Sequence, residues 1–223
     1  MSYEPMNKDY ILPGKDIRCS DTGRELTSYT AYYVRNIYNG HILQLSKECA
    51  IKRLENTKFS IKDFIDLTRG NIISKPTPPI DVFLPGSNPS INAINSSEND
   101  EIAKKKALEY LELRENKLKE FGTSYKLLKN YYLQSKREEL TKENINHILN
   151  IESTVQENEN HWMQNLSLVN LQKVYYLKCR LERLIFNYKN DKYKIDFFSS
   201  IMRQLSKKLE ISKNQEKCLK SYL

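Results

Sequence analysis

No proline follows Pro89 and no glycine follows Gly122 in this chain of 223 residues. These are the residue types that interrupt an α-helix most strongly, at about 3 and about 1 kcal/mol per interior position relative to alanine. Everything past residue 122 is therefore free to run as long helices joined by polar turns. Within that span Leu168 to Tyr188 carries the clearest pattern. Val174, Leu177, Leu181, Leu184 and Tyr188 recur at steps of three, four, three and four, which draws one apolar seam down a helix. Leu171, Tyr175 and Ile185 widen the seam into a face suited to burial in a bundle. Ser167 stands where an N-cap belongs, and Lys173, Lys178, Arg180, Glu182 and Arg183 fall largely on the opposite side.

The flanking stretches read the same way. Ile102, Leu108, Leu111, Leu118 and Phe121 mark a helix that Gly122 ends, and Thr123 or Ser124 can cap a successor with Leu127, Leu128, Tyr131 and Tyr132 inward. Thr141 opens a helix carrying Ile145, Ile148, Leu149 and Ile151, then Val155 and Trp162. Asn190-Asp191 makes a turn, and Ile195, Phe198, Ile201, Met202, Leu205 and Leu209 form the next amphipathic helix. Ser212 through Gln215 fits a capping box before a last short helix.

The N-terminal third is punctuated by Pro5, Pro13-Gly14 and Gly23. From Arg24 the spacing of Leu26, Tyr29, Tyr33 and Ile37 predicts a helix, stopped or kinked at Asn39-Gly40. Ile42, Leu45, Cys49 and Leu54 predict a second, and Ser60 can cap a third carrying Phe64, Ile65 and Leu67 with Gly70 as its stop. Residues 71–99 change character: Lys75-Pro76-Thr77-Pro78-Pro79 favours polyproline II, Ile80 to Leu84 is a short apolar run, and the Ser/Asn-rich remainder reads as a linker. The expected fold is thus all-α. A small helical module spans 1–70, an extended linker 71–99, and a bundle of long, coiled-coil-like helices 100–223.

Charge is distributed as unevenly as proline and glycine. The formal excess of +8 lies wholly in Leu168 to Leu223, and before it basic and acidic residues cancel. A localised excess suits an acidic partner, either nucleic acid, an anionic membrane or an acidic protein face. The alternative is a solvated lysine-rich surface. The candidate contacts are Lys178, Arg180 and Arg183 on the central helix, and Lys189, Lys192 and Lys194 around the turn after it. At that turn cations interleave with Phe186, Tyr188 and Tyr193, as in proteins that stack single-stranded bases. Phe186 and Tyr188 also fit core positions, which would leave the lysines only solvating a turn. Tyr29, Tyr32 and Tyr33 are candidates for a protein–protein face.

Several chemistries are not expected. Nothing approaches the roughly 18 apolar residues of a membrane span, and the first ten residues hold no apolar core of a secretory signal. Cys19, Cys49, Cys179 and Cys218 are widely separated and read as small buried hydrophobes. His41, His147 and His161 lie on different predicted elements. Glu157 and His161, four apart, make half a metal site at most, and zinc needs three or four ligands. Asp63 and Asp66 beside Arg69 read as solvated charges with a local ion pair. No phosphate-binding or nucleophile-elbow glycine motif occurs. No catalytic residue, cofactor or metal is therefore expected.

Tyr176-Leu177-Lys178-Cys179-Arg180-Leu181-Glu182-Arg183-Leu184-Ile185 resembles the core helix of the GINS subunits, small proteins of the replicative helicase assembly. One branch of that family carries a Tyr-Leu-Arg-x-Arg-Leu-x-Lys-Ile pattern there. Tyr176, Leu177, Lys178, Arg180, Leu181 and Arg183 match it in type, with Leu184 in place of the isoleucine. Ile211 to Glu216 and the ending Leu219 to Leu223 are similar to the family's last cap and helix, and Glu138-Glu139-Leu140 with the following helix to its leading one. The resemblance covers residues 137–223. The small β-rich domain that this branch carries after its helices has no counterpart there. What the resemblance implies is a non-enzymatic helical subunit, nuclear, held in a hetero-oligomer associated with DNA replication. The contrasting expectation is a coiled-coil adaptor for cytoskeletal, kinetochore or membrane-surface partners, with residues 99–165 as its rod.

Overall fold

The computed structural model describes residues 2–71 and 95–222. The linker expected at 71–99, with its polyproline stretch and the run Ile80 to Leu84, lies largely outside the described residues. The N-terminal third is not helical, and the chain is not all-α. Residues Tyr3–Tyr10 (β1), Thr30–Asn36 (β2), Ile42–Leu45 (β3) and Ile65–Asp66 (β4) form a mixed sheet in the order β3-β2-β1-β4. β1 runs antiparallel to β2, from Tyr3 opposite Asn36 to Tyr10 opposite Thr30, with an irregularity between Pro5 and Asn7. β4 pairs parallel with β1 only at Asn7 and Lys8, so Pro5, which has no N–H to donate, is not asked for a bond on that side.

The expected first helix fails for a local reason. Thr30-Ala31-Tyr32-Tyr33-Val34 is rich in aromatic and β-branched residues that suit a pleated surface. Asn39-Gly40, read as a helix stop, is instead the reversal between β2 and β3. The amide of Gly40, at φ +71°, donates to the Asn36 carbonyl, and the Asn36 side-chain oxygen accepts from the Tyr38 amide. A left-handed residue at such a turn favours glycine, which has no Cβ to clash. The second predicted helix survives only in its latter half, as α1 (Lys47–Leu54), capped by Ser46. Ser60 does build a capping box with Asp63, but over a single 3-10 turn, Ile61–Asp63. Asp63, Asp66 and Arg69 do not pair locally. They reach Lys105, Lys8 and Glu109.

The C-terminal part is helical as the breaker-free sequence requires. Asn95–Glu112 (α2) continues through a π turn, Leu113–Lys117, and a 3-10 turn, Lys119–Phe121, to Gly122 in the left-handed conformation. Lys126–Ser135 (α3), Lys142–Gln156 (α4), His161–Gln164 (α5), Leu168–Asn187 (α6), Lys192–Lys208 (α7) and Lys213–Lys220 (α8) follow. Thr123 and Ser124 do not cap α3. They turn back on the π segment, Thr123 donating to the Arg114 carbonyl and Ser124 to the Glu115 carboxylate. Ala107, Tyr110, Leu111 and Leu113 share one core with α4, α6 and α7, so residues 99–165 are folded into the bundle and do not project from it.

α6 is the spine. Val174, Leu177, Leu181 and Leu184 are buried along one seam, with Tyr188 half-buried at its end. Each fully buried leucine or valine contributes about 1.5–3 kcal/mol. A second apolar cluster, built on Val34, Leu45, Cys49, Leu54 and Phe64, lies between the sheet and α1. Leu67 already belongs to the bundle's core, and Gly70 brings the chain against the α6 backbone at Gln172. Among the described residues, every buried side-chain nitrogen and oxygen has a hydrogen-bond partner, and no helix is long and apolar enough to cross a membrane.

Candidate functional site

The basic residues on the flank of α6 that the sequence reads as its outer face are met by three different parts of the chain: the turn before α3, the end of α8 and the segment after β1. Lys178 keeps only 14% of its side chain exposed and is clamped by Glu120 (3.0 Å) and Glu182 (3.3 Å). Burial works against its charge, but the carboxylates prevail and hold the ammonium above its ordinary range. Arg180 donates to the Tyr176 hydroxyl (3.2 Å) and to the Leu219 carbonyl at the end of α8. Arg183 reaches across to the Ile11 carbonyl (3.1 Å) and lies 3.9 Å from the centre of the Tyr29 ring. These three cations are engaged within the molecule. Arg183 lies over one face of Tyr29, which stays exposed, Tyr32 meets the Phe64 ring edge-on, and the Tyr33 hydroxyl donates to Gln44.

What joins the sheet to the bundle is Asp9. Only 4% exposed, it accepts the Tyr175 hydroxyl and the Tyr10 amide at Oδ1, both at 2.7 Å. Its Oδ2 accepts Lys117 Nζ at 2.6 Å and Asn7 Nδ2 at 3.1 Å. Lys117 comes from the π turn, whose extra residue per turn re-aims the side chain out of helical register. Burial, then the charge of Asp9, lifts the Tyr175 phenol far above its ordinary range and the Cys179 thiol to about 12. Both hold their protons at neutral pH, so the cluster acts as a hydrogen-bonded tie. A cavity of about 650 Å³ lies beside it, with Asp9, Lys117, Tyr175 and Lys178 on its wall and Lys15 and Arg18 among its lining. Sequence reasoning missed this cluster. Tyr175 was legible only as apolar seam, and Asp9 lies 166 positions from it.

The remaining candidates gather at the corner between α6 and α7. Asp191 caps α7 by accepting the Lys194 amide and pairs with the Lys194 ammonium at 3.4 Å. Lys194 also lies 4.1 Å from the centre of the Tyr188 ring, and Tyr188 packs against Phe198 and Tyr222. The aromatic residues therefore divide. Tyr188 faces inward, whereas Phe186 is 46% exposed, Tyr193 is 90% exposed and Phe197 is also exposed. Lys189 stands 5.7 Å from the centre of the Phe186 ring, and neither Lys189 nor Lys192 has an ion-pair partner among the described residues. An aromatic surface beside unpaired cations can stack bases and meet phosphates.

The metal-like pair does not form. His161 opens α5 and meets Glu210 at 3.0 Å, while Glu157 accepts from Ser153. Among the described residues no three His, Cys, Asp or Glu side chains are placed to hold a metal ion. Cys19, Cys49 and Cys179 are buried and free, and Cys218 is free and exposed. No protein-family model matches the chain, and no curated protein or solved structure shows significant similarity to it.

Proposed function

We propose that this chain is a non-enzymatic assembly subunit of a nuclear, nucleic-acid-associated complex of the kind that the GINS resemblance implies, and that its α6–α7 corner touches single-stranded nucleic acid. The observation that carries the contact is the pairing of exposed rings with unneutralised cations: the half-exposed Phe186 ring lies 5.7 Å from Lys189, and Tyr193, next to Lys192 in the chain, is 90% exposed. A large aromatic side chain at 90% exposure gains nothing from folding, and a base stacked on it would recover that surface. The seam of α6 serves architecture, since it is buried in the bundle core. The GINS branch described above has its β-rich domain after the helices, whereas here a small sheet precedes them.

The test is fluorescence anisotropy of the full chain with a labelled single-stranded oligonucleotide, read across a salt series. Tyr193→Ala is expected to weaken binding by about tenfold, one stacked base being worth about 1–3 kcal/mol. The Lys189→Glu/Lys192→Glu pair is expected to flatten the dependence of log K on log salt by roughly two phosphate contacts. Affinity and salt slope unchanged in both variants would refute the contact.

A further inference from the structure

The arginines of α6 are engaged, yet their charge is not neutralised. Among the described residues no carboxylate lies within ion-pair distance of Arg180 or Arg183, although the other half-buried cations of this region are paired, Lys117 with one carboxylate and Lys178 with two. Arg180 is held by a phenol and a carbonyl, and Arg183 by a carbonyl and a ring face. All of these partners are neutral, and they leave several N–H donors of each guanidinium fork unused. Burial disfavours the charged form of Arg183, as it must where no acid compensates it.

Both arginines line one cavity of about 330 Å³, with Ser28, Tyr29, Tyr176 and Asn187 among its other walls, and among the described residues no acidic side chain lines it. The ring of Tyr29 fixes the Arg183 plane, and the Leu219 carbonyl and Tyr176 hydroxyl fix that of Arg180. The forks are therefore held in place before any ligand arrives, which spares the cost of ordering them on binding. Asn187 is the last residue of α6. The negative end of a helix amounts to about half a charge, and two guanidinium charges outweigh it.

We infer that this cavity is a binding site for a phosphate dianion, free or as a monoester. Two preset forks match a group with up to two negative charges and three acceptor oxygens. A phosphodiester backbone presents single charges in a row and calls for an open basic track, whereas here two arginines converge on one concavity. The site is separate from the proposed nucleic-acid corner, because neither Lys189 nor Tyr193 lines it.

The test is calorimetric titration of the full chain with phenyl phosphate, inorganic phosphate and dimethyl phosphate. Phenyl phosphate is expected to bind, and to bind more tightly at pH 7 than at pH 5, because its second ionisation falls near pH 6. Dimethyl phosphate is expected not to compete. Tighter binding of phenyl phosphate than of inorganic phosphate would assign the group to an aromatic ester such as a phosphorylated side chain. Equal affinity would assign it to free phosphate. Arg183→Lys keeps the charge and loses the fork, and is expected to weaken binding at least tenfold. Asn187→Asp places a carboxylate in the cavity at an exposed position and is expected to abolish binding while the melting temperature holds. Binding of phenyl phosphate undiminished in Asn187→Asp, equal competition by the diester, or no detectable phenyl phosphate binding by the wild-type chain would overturn the assignment.

Discussion

The tie at Asp9 makes a quantitative claim about how the sheet and the bundle depend on each other. Replacing Asp9 by Asn preserves volume and leaves an oxygen to accept from Tyr175 and Tyr10, but it removes the charge facing Lys117. Breaking a buried pair on one side costs about 3–5 kcal/mol, because the surviving charge is left uncompensated. Lys117 keeps 23% of its side chain exposed and can recover part of its hydration, so the lower end, about 3 kcal/mol, is expected. The ammonium's own acidity carries the same information. Burial disfavours its charge, and Asp9 more than offsets this, holding Lys117 above its ordinary range. Lys117→Met should cost about 2 kcal/mol, since Asp9 keeps three neutral donors from Tyr175, Tyr10 and Asn7. The double variant should lie within about 1 kcal/mol of the wild type, as paired replacements of buried ions often do. Urea denaturation measures all four proteins, followed by the fluorescence of Trp162 in the bundle and by near-ultraviolet dichroism of the tyrosine-rich sheet. The two probes should give one coincident transition if the tie couples the parts. Additive costs in the double variant, or single variants within about 0.5 kcal/mol of the wild type, would refute this reasoning.

Other measurements bear on the bundle. Burial lifts the Glu109 carboxyl to about 7, against the opposing effects of the Gln172 amide at 2.6 Å and Arg69 at 4.0 Å. The folded chain therefore keeps this proton over a range in which the unfolded chain has lost it, and stability falls as pH rises from the ordinary carboxyl range to about 7. Glu109→Gln lacks that loss, so its advantage over the wild type should grow across this window to about 3 kcal/mol at most. A constant difference between pH 4 and pH 8 in urea midpoints would contradict it. Gly70→Ala would set a Cβ 2.1 Å from the Gln172 carbonyl oxygen and 2.9 Å from the Tyr176 Cβ. Backbone of the central helix cannot yield as a side-chain tip can, so a loss of about 3 kcal/mol is expected. A midpoint unchanged from the wild type would show that the Arg69–Asn71 turn does not dock closely on α6.

Local chemistry and long-range placement separate cleanly here. The absence of proline and glycine past residue 122 and the seam from Val174 to Tyr188 determined helices where helices stand, because helix formation depends on residues three and four apart in the chain. Ser167 takes the predicted cap position of α6 without a side-chain bond to an amide, whereas the side chains of Thr141, Asp191 and Ser212 accept amides at the starts of α4, α7 and α8. The sheet was also written locally, in the Thr-Ala-Tyr-Tyr-Val run and Asn39-Gly40, but a coincident spacing of Leu26, Tyr29, Tyr33 and Ile37 masked it. A period of three to four carries little weight when strand-forming residues fill the interval.

Only the tertiary structure decided what the charged residues face. Whether Lys178, Arg180 and Arg183 stand in solvent or against a carboxylate, a carbonyl or a ring depends on residues far away in the chain: Glu120 before α3, Leu219 in α8, and Ile11 and Tyr29 beside the sheet. A carboxylate at position 9 and a phenol at position 175 carry no sign of each other in sequence, because a hydrogen bond reaches about 3 Å in space and takes no account of distance along the chain.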